Sequence, residues 1–209
     1  MSADYLWPTT PLCQLSCALE LCDKSRLLSV LSQGDYINAQ MDELGKTPLM
    51  IAMNDHKQEI LETILCHPNI NVNAVDHYGD NALYYAVAYI RQKDWARIVF
   101  HKLVQAGINI NYTNCNGQTL LMQIVEEPSY CFNEEYIELL LEAGADLYAI
   151  DTRGRTAYYY AQQIGRPDVI VLLNKYYLKV VYTVGGYMSI IPRDIRDYIQ
   201  KFVFFILGP

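Results

Sequence analysis

The chain has 209 residues, of which 52% are hydrophobic and 19% are charged, and this composition excludes a disordered chain. Its length corresponds to one domain of ordinary size, or to one domain with a short appendage. The formal net charge of -7 argues against a nucleic-acid partner, because a phosphate backbone is bound by clustered Lys and Arg side chains.

The N-terminal stretch "MSADYLWPTTPLC" lacks the basic and apolar regions of a secretory signal peptide. No stretch reaches the roughly 20 apolar residues that a membrane-spanning helix needs. Three of the six cysteines lie close together in the sequence, at Cys13, Cys17 and Cys22, and they form no CxxC pair. A zinc cluster there would lack a nearby His and the usual spacing, so we interpret them as small thiols buried on a helix. Such thiols imply a reducing, cytoplasmic setting, and we expect neither a bound metal nor a membrane span.

One turn-and-helix pattern then recurs four times, after a degenerate first copy, "LSCALELCDKSRLLSVLSQGDYINA". The copies read "DELGKTPLMIA", "DHYGDNALYYA", "NCNGQTLLMQI" and "DTRGRTAYYYA", and begin at Asp42, Asp76, Asn114 and Asp151. In each copy Gly allows the positive φ that closes a turn, and the residue two positions later stands where a helix N-cap belongs. These cap residues are Thr47, Asn81, Thr119 and Thr156, with Pro48 at one first helical position. The pattern predicts that Leu49, Leu83, Leu121, Ala52 and Ala86 face inward.

A second helix is predicted in each copy, at "QEILETIL", "WARIVFHKLVQAG", "EEYIELLLEAG" and "PDVIVLLNKYY". Gly34, Gly107 and Gly144 stand where a helix commonly ends in the left-handed conformation. Two copies carry insertions between their helices. We expect "AYIRQKDW" to lengthen the first helix by about a turn, with Asp94 capping the next. In the other insertion we expect Pro128 to end a helix and Asn133 to be the N-cap of the one that follows.

These segments together resemble the ankyrin repeat, whose consensus runs roughly D-x-x-G-x-T-P-L-H-x-A-A-x-x-G-H-x-E-I-V-x-x-L-L-x-x-G-A. The resemblance covers about residues 15–177 and implies an all-α ankyrin-repeat solenoid of about five helix-turn-helix repeats over residues 1–178. No copy keeps the His of the T-P-L-H box, where Met50, Tyr84, Met122 and Tyr159 stand instead. The Thr–His hydrogen bond of the family is therefore expected to be absent, and the repeats to be less rigid.

The resemblance also implies a binding surface, since ankyrin proteins usually bind other proteins through turn tips and first helices. The expected tip residues are Glu43, Leu44, Lys46, His77, Tyr78, Asp80, Asn116, Gln118, Arg153 and Arg155. The expected first-helix residues are Asn54, Asp55, Tyr89 and Gln163. Their mixed charge and aromatic content favour a protein partner. No catalytic motif appears, and the side chains of the adjacent Cys66 and His67 should diverge, so we expect no catalytic residue, no cofactor and no enzyme.

The repeat pattern stops after residue 177, and residues 179–209 form a second predicted region. An extended connector, "LKVVYTVGGYMS", begins at Leu178, one residue before this region. An amphipathic helix, "IIPRDIRDYIQKFV", follows it. One interpretation is a cap that covers the apolar end of the last repeat. The other rests on a resemblance to the opening of the F-box, L-P-x-E-I-x-x-x-I-x-x-x-L. The matching residues are Ile191, Pro192, Asp194, Ile195, Ile199 and Val203.

The F-box resemblance implies a pathogen-type effector or adaptor of the kind found in poxviruses and some intracellular bacteria. Such a protein would link a bound target to a cullin–RING ubiquitin ligase through a Skp-family adaptor, and would act in the host cytosol. The cap interpretation instead implies a plain scaffold or inhibitor that masks its protein partner.

Overall fold

The computed structural model describes residues 10–53, 57–127 and 133–183. Within these ranges the chain consists of helices and turns, with one isolated antiparallel bridge between Val75 and Asn81. The predicted all-α class is confirmed. The predicted site residues Asn54 and Asp55, and all six F-box-like residues, lie outside the described ranges.

The described helices follow one another as short pairs. They are α1 Pro11–Glu20, α2 Lys24–Leu31, α3 Pro48–Ile51, α4 Gln58–Leu65, α5 Ala82–Tyr89, α6 Lys93–Gln105, α7 Leu120–Glu126, α8 Asn133–Glu142, α9 Ala157–Ile164 and α10 Pro167–Thr183. The chain divides into two compact units, unit 1 through Cys115 and unit 2 from Asn116. Unit 1 therefore holds α1 to α6, and unit 2 holds α7 to α10.

The first helix of each predicted repeat begins at its predicted N-cap. The side chains of Thr47, Asn81, Thr119 and Thr156 each accept a hydrogen bond from a backbone N–H of the following turn. Pro48 occupies the first turn of α3, where its missing N–H costs nothing. The capping prediction is confirmed because it depends only on neighbouring residues in the chain.

The predicted inward residues form the cores of the two units. In unit 1, α3 packs on α1, α4 and α5, while α2 packs on α4 and α5 packs on α6. In unit 2, α7 packs on α8 and α9, and α10 packs on the same two helices. Leu49, Leu83, Leu121, Ala52 and Ala86 are all buried, as predicted. The alanines leave room for close helix approach, so short helices with little intrinsic stability hold one another in place.

The insertion after Tyr89 does not lengthen the first helix. Helix α5 has 8 residues, the same number as α9, whereas α6 has 13. Ile90 takes an extended conformation and is fully buried, and this contact ends α5. Helix α6 then begins at Lys93, so Asp94 lies inside its first turn rather than at its cap. The extra residues have gone into the second helix of the pair.

Three further predictions of helix ends differ in their outcomes. Helix α7 ends at Glu126, and Glu127 leaves the helical region with φ -114 and ψ 88, as expected for a residue before proline. Asn133, the predicted N-cap, is instead the first residue of α8. The connector prediction is wrong for residues 178–183, because α10 continues through Thr183. No Gly or Pro interrupts the chain there until Gly185, so no local signal stops the helix.

The glycine and cysteine predictions are each confirmed only in part. Gly107 and Gly144 have positive φ after α6 and α8, as predicted. Gly34 does not, and it instead makes room for the ring of Tyr36, which would lie 2.8 Å from an added Cβ. Cys22 is exposed in a turn with φ 54, whereas Cys13 and Cys17 lie half-buried on α1. The interpretation as buried helical thiols is therefore wrong for Cys22. Within the described ranges, no helix is both long and apolar enough to cross a membrane.

Candidate protein-interaction site

The turn tips of unit 1 are joined to one another through their backbones. The N–H of His77 donates to the carbonyl of Leu44 at 2.9 Å, and the N–H of Cys115 donates to the carbonyl of Tyr78 at 2.8 Å. A ring nitrogen of His77, Nδ1, lies 3.1 Å from the carbonyl oxygen of Glu43. The side chains of Glu43, Leu44, His77 and Tyr78 are nevertheless exposed. The tips are therefore fixed in backbone position and accessible in side chain.

The corresponding tips of unit 2 are joined in the same way. Both the N–H and the hydroxyl of Thr152 donate to the carbonyl of Asn116, at 3.1 and 2.9 Å. Asn116, Arg153 and Gln163 are exposed, whereas Arg155 is half-buried. Three of these four predicted site residues are therefore accessible.

Two predicted tip residues, Asp80 and Gln118, are instead buried. Asp80 accepts a hydrogen bond from the hydroxyl of Tyr112 at 3.3 Å. The amide nitrogen of Gln118 donates to Glu126 Oε2 at 2.7 Å and to the hydroxyl of Tyr160 at 2.9 Å. The prediction that they are accessible is wrong, because both side chains turn inward to satisfy polar groups beneath the turn.

Tyrosines pin two of the turns in which the family's histidine is missing. The hydroxyl of Tyr85 donates to Asp76 Oδ2 at 2.5 Å, and the hydroxyl of Tyr160 donates to Asp151 Oδ2 at 2.7 Å. In the first complete copy, the sulfur of Met50 accepts from a backbone N–H at 3.4 Å. The expected loss of the Thr–His bond is thus offset by other bonds. In both copies the Tyr lies nine residues after the turn Asp, but this spacing alone does not show that the two side chains meet.

Charge in the last turn is concentrated on Asp151. Its Oδ2 lies 2.7 Å from both Nε and Nη2 of Arg155, and its Oδ1 accepts from the N–H groups of Arg153 and Arg155. Burial alone would raise the pKa of Asp151, but the hydrogen bonds from Arg155, Tyr160 and Arg153 together hold it well below its usual value. Burial and the bond to Asp151 raise the pKa of Tyr160 to about 12. The turn is therefore an ionised, internally neutralised cluster.

Unit 1 also contains a groove of about 320 Å³, which the sequence did not predict. Its apolar lining includes Met41, Met50, Met53, Tyr85 and Tyr89. These residues come from two repeats, and α1 adds Ser16 and Glu20, so no single stretch of sequence reveals the groove. The predicted site residues Lys46 and Tyr89 both line it.

The polar wall of the groove places the ammonium group of Lys46 over the ring of Tyr85, which stacks on that of Tyr89. Lys46 Nζ lies 3.6 Å from Asp42 Oδ2 and 5.4 Å from the centre of the Tyr85 ring. Tyr89 stacks on Tyr85 with ring centres 5.9 Å apart and planes 8° apart. Tyr85 is buried, whereas 50% of Tyr89 is exposed. The groove thus presents one face of an ordered aromatic pair to solvent.

Nothing in this arrangement resembles a catalytic pair. His67 Nδ1 accepts from the N–H of Asn69 at 3.3 Å, so the ring next to Cys66 serves its own turn. In the part of the chain that the structure describes, no group of three or more His, Cys, Asp or Glu side chains could hold a metal ion.

Comparison with known proteins supports the class that this repeated geometry defines. Residues 15–112 match the family model described as ankyrin repeats in three copies. Residues 15–112 are therefore similar to three ankyrin repeats, and the all-α ankyrin-repeat fold class predicted from the sequence is confirmed. Stacked repeats of this class present extended surfaces for binding other proteins.

Several known proteins are similar to about two thirds of this chain. The chain is 31% identical over 143 residues to a probable serine/threonine-protein kinase of Dictyostelium discoideum, covering 66% of this chain and 16% of that protein. It is 29% identical over 138 residues to the nuclear factor NF-kappa-B p105 subunit of Gallus gallus, covering 65% of this chain and 13% of that protein. A putative ankyrin repeat-containing protein of Treponema pallidum is 25% identical over 151 residues, or 71% of this chain and 47% of that protein. The chain thus spans less than half the length of each of these relatives.

Proposed function

We propose that this protein is a non-catalytic protein-interaction module that binds its partner through exposed side chains at its turn tips and first helices. The observation that carries the proposal is the combination of fixed backbone and exposed apolar side chain in unit 1. Leu44 is 38% exposed and Tyr78 is 55% exposed, although their carbonyls hold the next tips in place. Large side chains on a rigid backbone lose little entropy on binding and make good interface anchors.

The proposed contact residues follow from their exposure in each unit. In unit 1 they are Glu43, Leu44, His77, Tyr78 and Tyr89, with Lys46 half-buried beside them. In unit 2 they are Asn116, Arg153 and Gln163, with Arg155 half-buried. Asn54 and Asp55 remain predictions from the sequence. Asp80 and Gln118 support the turns from within and are not proposed as contacts.

A capture experiment with the full chain tests this proposal. The immobilised wild-type chain is compared with Leu44→Ser and Tyr78→Ser combined, using cell extract and quantitative mass spectrometry. The matched control combines Leu28→Ser and Ile98→Ser, which replace similarly exposed apolar residues on second helices, outside the proposed surface. Partners captured by the wild type and the control should be lost from the tip variant. Equal capture by all three chains would refute the tips as the binding surface.

The finer proposal is that the C-terminal region makes the protein an adaptor to a ubiquitin ligase, as in pathogen effectors acting in the host cytosol. Its support is the F-box-like pattern of residues 191–203, and it predicts binding to a Skp-family protein. The full chain carrying Ile195→Glu and Ile199→Glu should lose that protein while keeping its other partners. If the region is only a cap, the same variant should melt at a lower temperature, and a purified Skp-family protein should bind neither chain.

A further inference from the structure

The groove of unit 1 has an adaptable apolar lining. Met50 and Met53 are buried and Met41 is half-buried, so their thioethers form part of a surface that can adjust to an inserted side chain. The stacked rings of Tyr85 and Tyr89 add a flat wall whose outer member is half exposed. Such a lining suits an aliphatic stem rather than a compact polar group.

The charges around the groove are unbalanced. Asp42 is matched by Lys46 at 3.6 Å. Glu20, the last residue of α1, also lines the groove, is exposed, and has no ion-pair partner among the described residues. Glu43 adds a second exposed carboxylate at the neighbouring tip. The groove and its rim therefore carry more negative than positive charge.

The aromatic wall of the groove already accepts one cation from the chain itself. Lys46 Nζ lies 5.4 Å from the centre of the Tyr85 ring, within the range of a cation–π contact. Tyr89 belongs to the same stack and has no cation over its exposed part in the described structure. The exposed part of the Tyr89 ring can therefore accept a second cation, in a groove that Glu20 also lines.

We infer that this groove binds a segment of the protein partner in which an Arg or Lys side chain adjoins an apolar one. The inference rests on the proposed function and adds the chemistry of the partner. The apolar side chain contacts the methionines, and the cation lies on Tyr89 near Glu20. An acidic segment is disfavoured because it would face Glu20, Asp42 and Glu43, while the single ammonium of Lys46 is already matched.

Matched synthetic peptides test the inference on the full chain. Three fluorescent peptides share the same leucine positions and carry arginine, glutamine or glutamate at the remaining ones, and their binding is followed by fluorescence anisotropy. The arginine peptide should bind most tightly. Glu20→Gln and Tyr89→Leu should each weaken it by about two- to fivefold, the effect of one exposed charge or cation–π contact. Tyr89→Leu keeps apolar area, so its loss isolates the ring face.

The control is Glu59→Gln, which removes another exposed carboxylate, from α4 and outside the groove. Its affinity for the arginine peptide should equal that of the wild type. The inference is overturned if the glutamate or glutamine peptide binds as tightly, or if Glu20→Gln and Tyr89→Leu bind like Glu59→Gln. If no peptide binds but capture still depends on Leu44 and Tyr78, the groove assignment is wrong while the proposed function stands.

Discussion

Replacing Asp151 by Asn should destabilise unit 2 by removing the charge at the centre of its turn. The substitution keeps the shape of the side chain. The amide oxygen can still accept from the N–H groups of Arg153 and Arg155, which now bond to Oδ1 at 2.8 and 2.9 Å. The new NH2 group, however, replaces the oxygen that accepts from Arg155 and Tyr160. The Arg155 guanidinium and the Tyr160 hydroxyl, which are both donors, would then face a third donor, the new amide group.

The magnitude follows from the bonds that are lost. Arg155 Nε and Nη2 and the hydroxyl of Tyr160 all lie 2.7 Å from Asp151 Oδ2. Hydrogen bonds to a charged group are worth roughly 1.5–3 kcal/mol each. Since 25% of the Arg155 side chain is exposed, the guanidinium can recover water contacts. We therefore expect the free energy of unfolding to fall by about 2–3 kcal/mol for Asp151→Asn.

Asp42→Asn is the matched control, at the same position of an earlier copy. Its Oδ1 accepts from the N–H groups of Leu44 and Lys46, bonds that the amide oxygen keeps. Its Oδ2 lies 3.6 Å from the ammonium of Lys46, and 38% of the Asp42 side chain is exposed to water. This change should cost less than about 1 kcal/mol. Urea unfolding followed by far-UV circular dichroism compares the two variants with the wild type.

Hydrogen exchange places the effect in the chain, because repeat arrays need not unfold in a single step. Exchange at the amides of Arg153 and Arg155 should accelerate in Asp151→Asn and remain unchanged in Asp42→Asn. If the two variants lose equal stability, or if Asp151→Asn loses less than its control, the charged cluster does not stabilise the turn as argued.

The lowered pKa of Asp151 also predicts a pH dependence. A carboxylate with a lowered folded pKa stabilises the native state fully above its unfolded pKa, here 3.8, and this contribution is lost as pH falls through the folded value. The stability difference between wild type and Asp151→Asn should therefore be constant near neutral pH and shrink below about pH 4. A difference that grows on acidification would contradict the assigned ionisation.

Two other substitutions in unit 2 have matched controls in the same unit. Tyr160→Phe should cost about 1–2 kcal/mol in urea unfolding, whereas Tyr159→Phe, whose side chain is exposed, should cost almost nothing. Because the folded pKa of Tyr160 is raised to about 12 from 10.0, its contribution is present below pH 10.0 and should disappear as pH rises through 12. Gly117→Ala should destabilise more than Gly154→Ala, since both have positive φ but only at Gly117 would the new Cβ lie 2.9 Å from a backbone nitrogen, that of Thr152. The Gly154 change should cost about 1–2 kcal/mol by urea unfolding, and equal losses would contradict the close contact.

The class of fold could be predicted because its signals are local and repeated. Thr47, Asn81 and Thr156 each cap a helix through bonds within one turn of chain, so the residue type and its spacing suffice. The end of α7 before Pro128 has the same local cause. Because the turn-and-helix pattern occurs four times, the four copies together predict the fold more strongly than any single copy would.

The candidate site was predicted less completely because exposure depends on neighbours. Asp80 and Gln118 occupy the same repeat position as Lys46 and Arg155, yet they are buried. Polar atoms lie beneath them, such as the hydroxyl of Tyr112, and draw these side chains inward. Position within a repeat therefore locates a residue at the turn but does not decide which way its side chain points.

By itself, the sequence determined the repeat, its caps and most helix positions, because these depend on contacts between residues close in the chain. The tertiary structure alone decided that Ile90 ends α5 by burial, that Tyr85 and Tyr160 hold the turn carboxylates, and that Glu20 and Tyr89 border one groove. Each of these contacts joins residues from separate turns or helices. The periodic pattern of the sequence predicts each helix and turn separately, whereas the packing of these helices and turns determines which side chains come into contact.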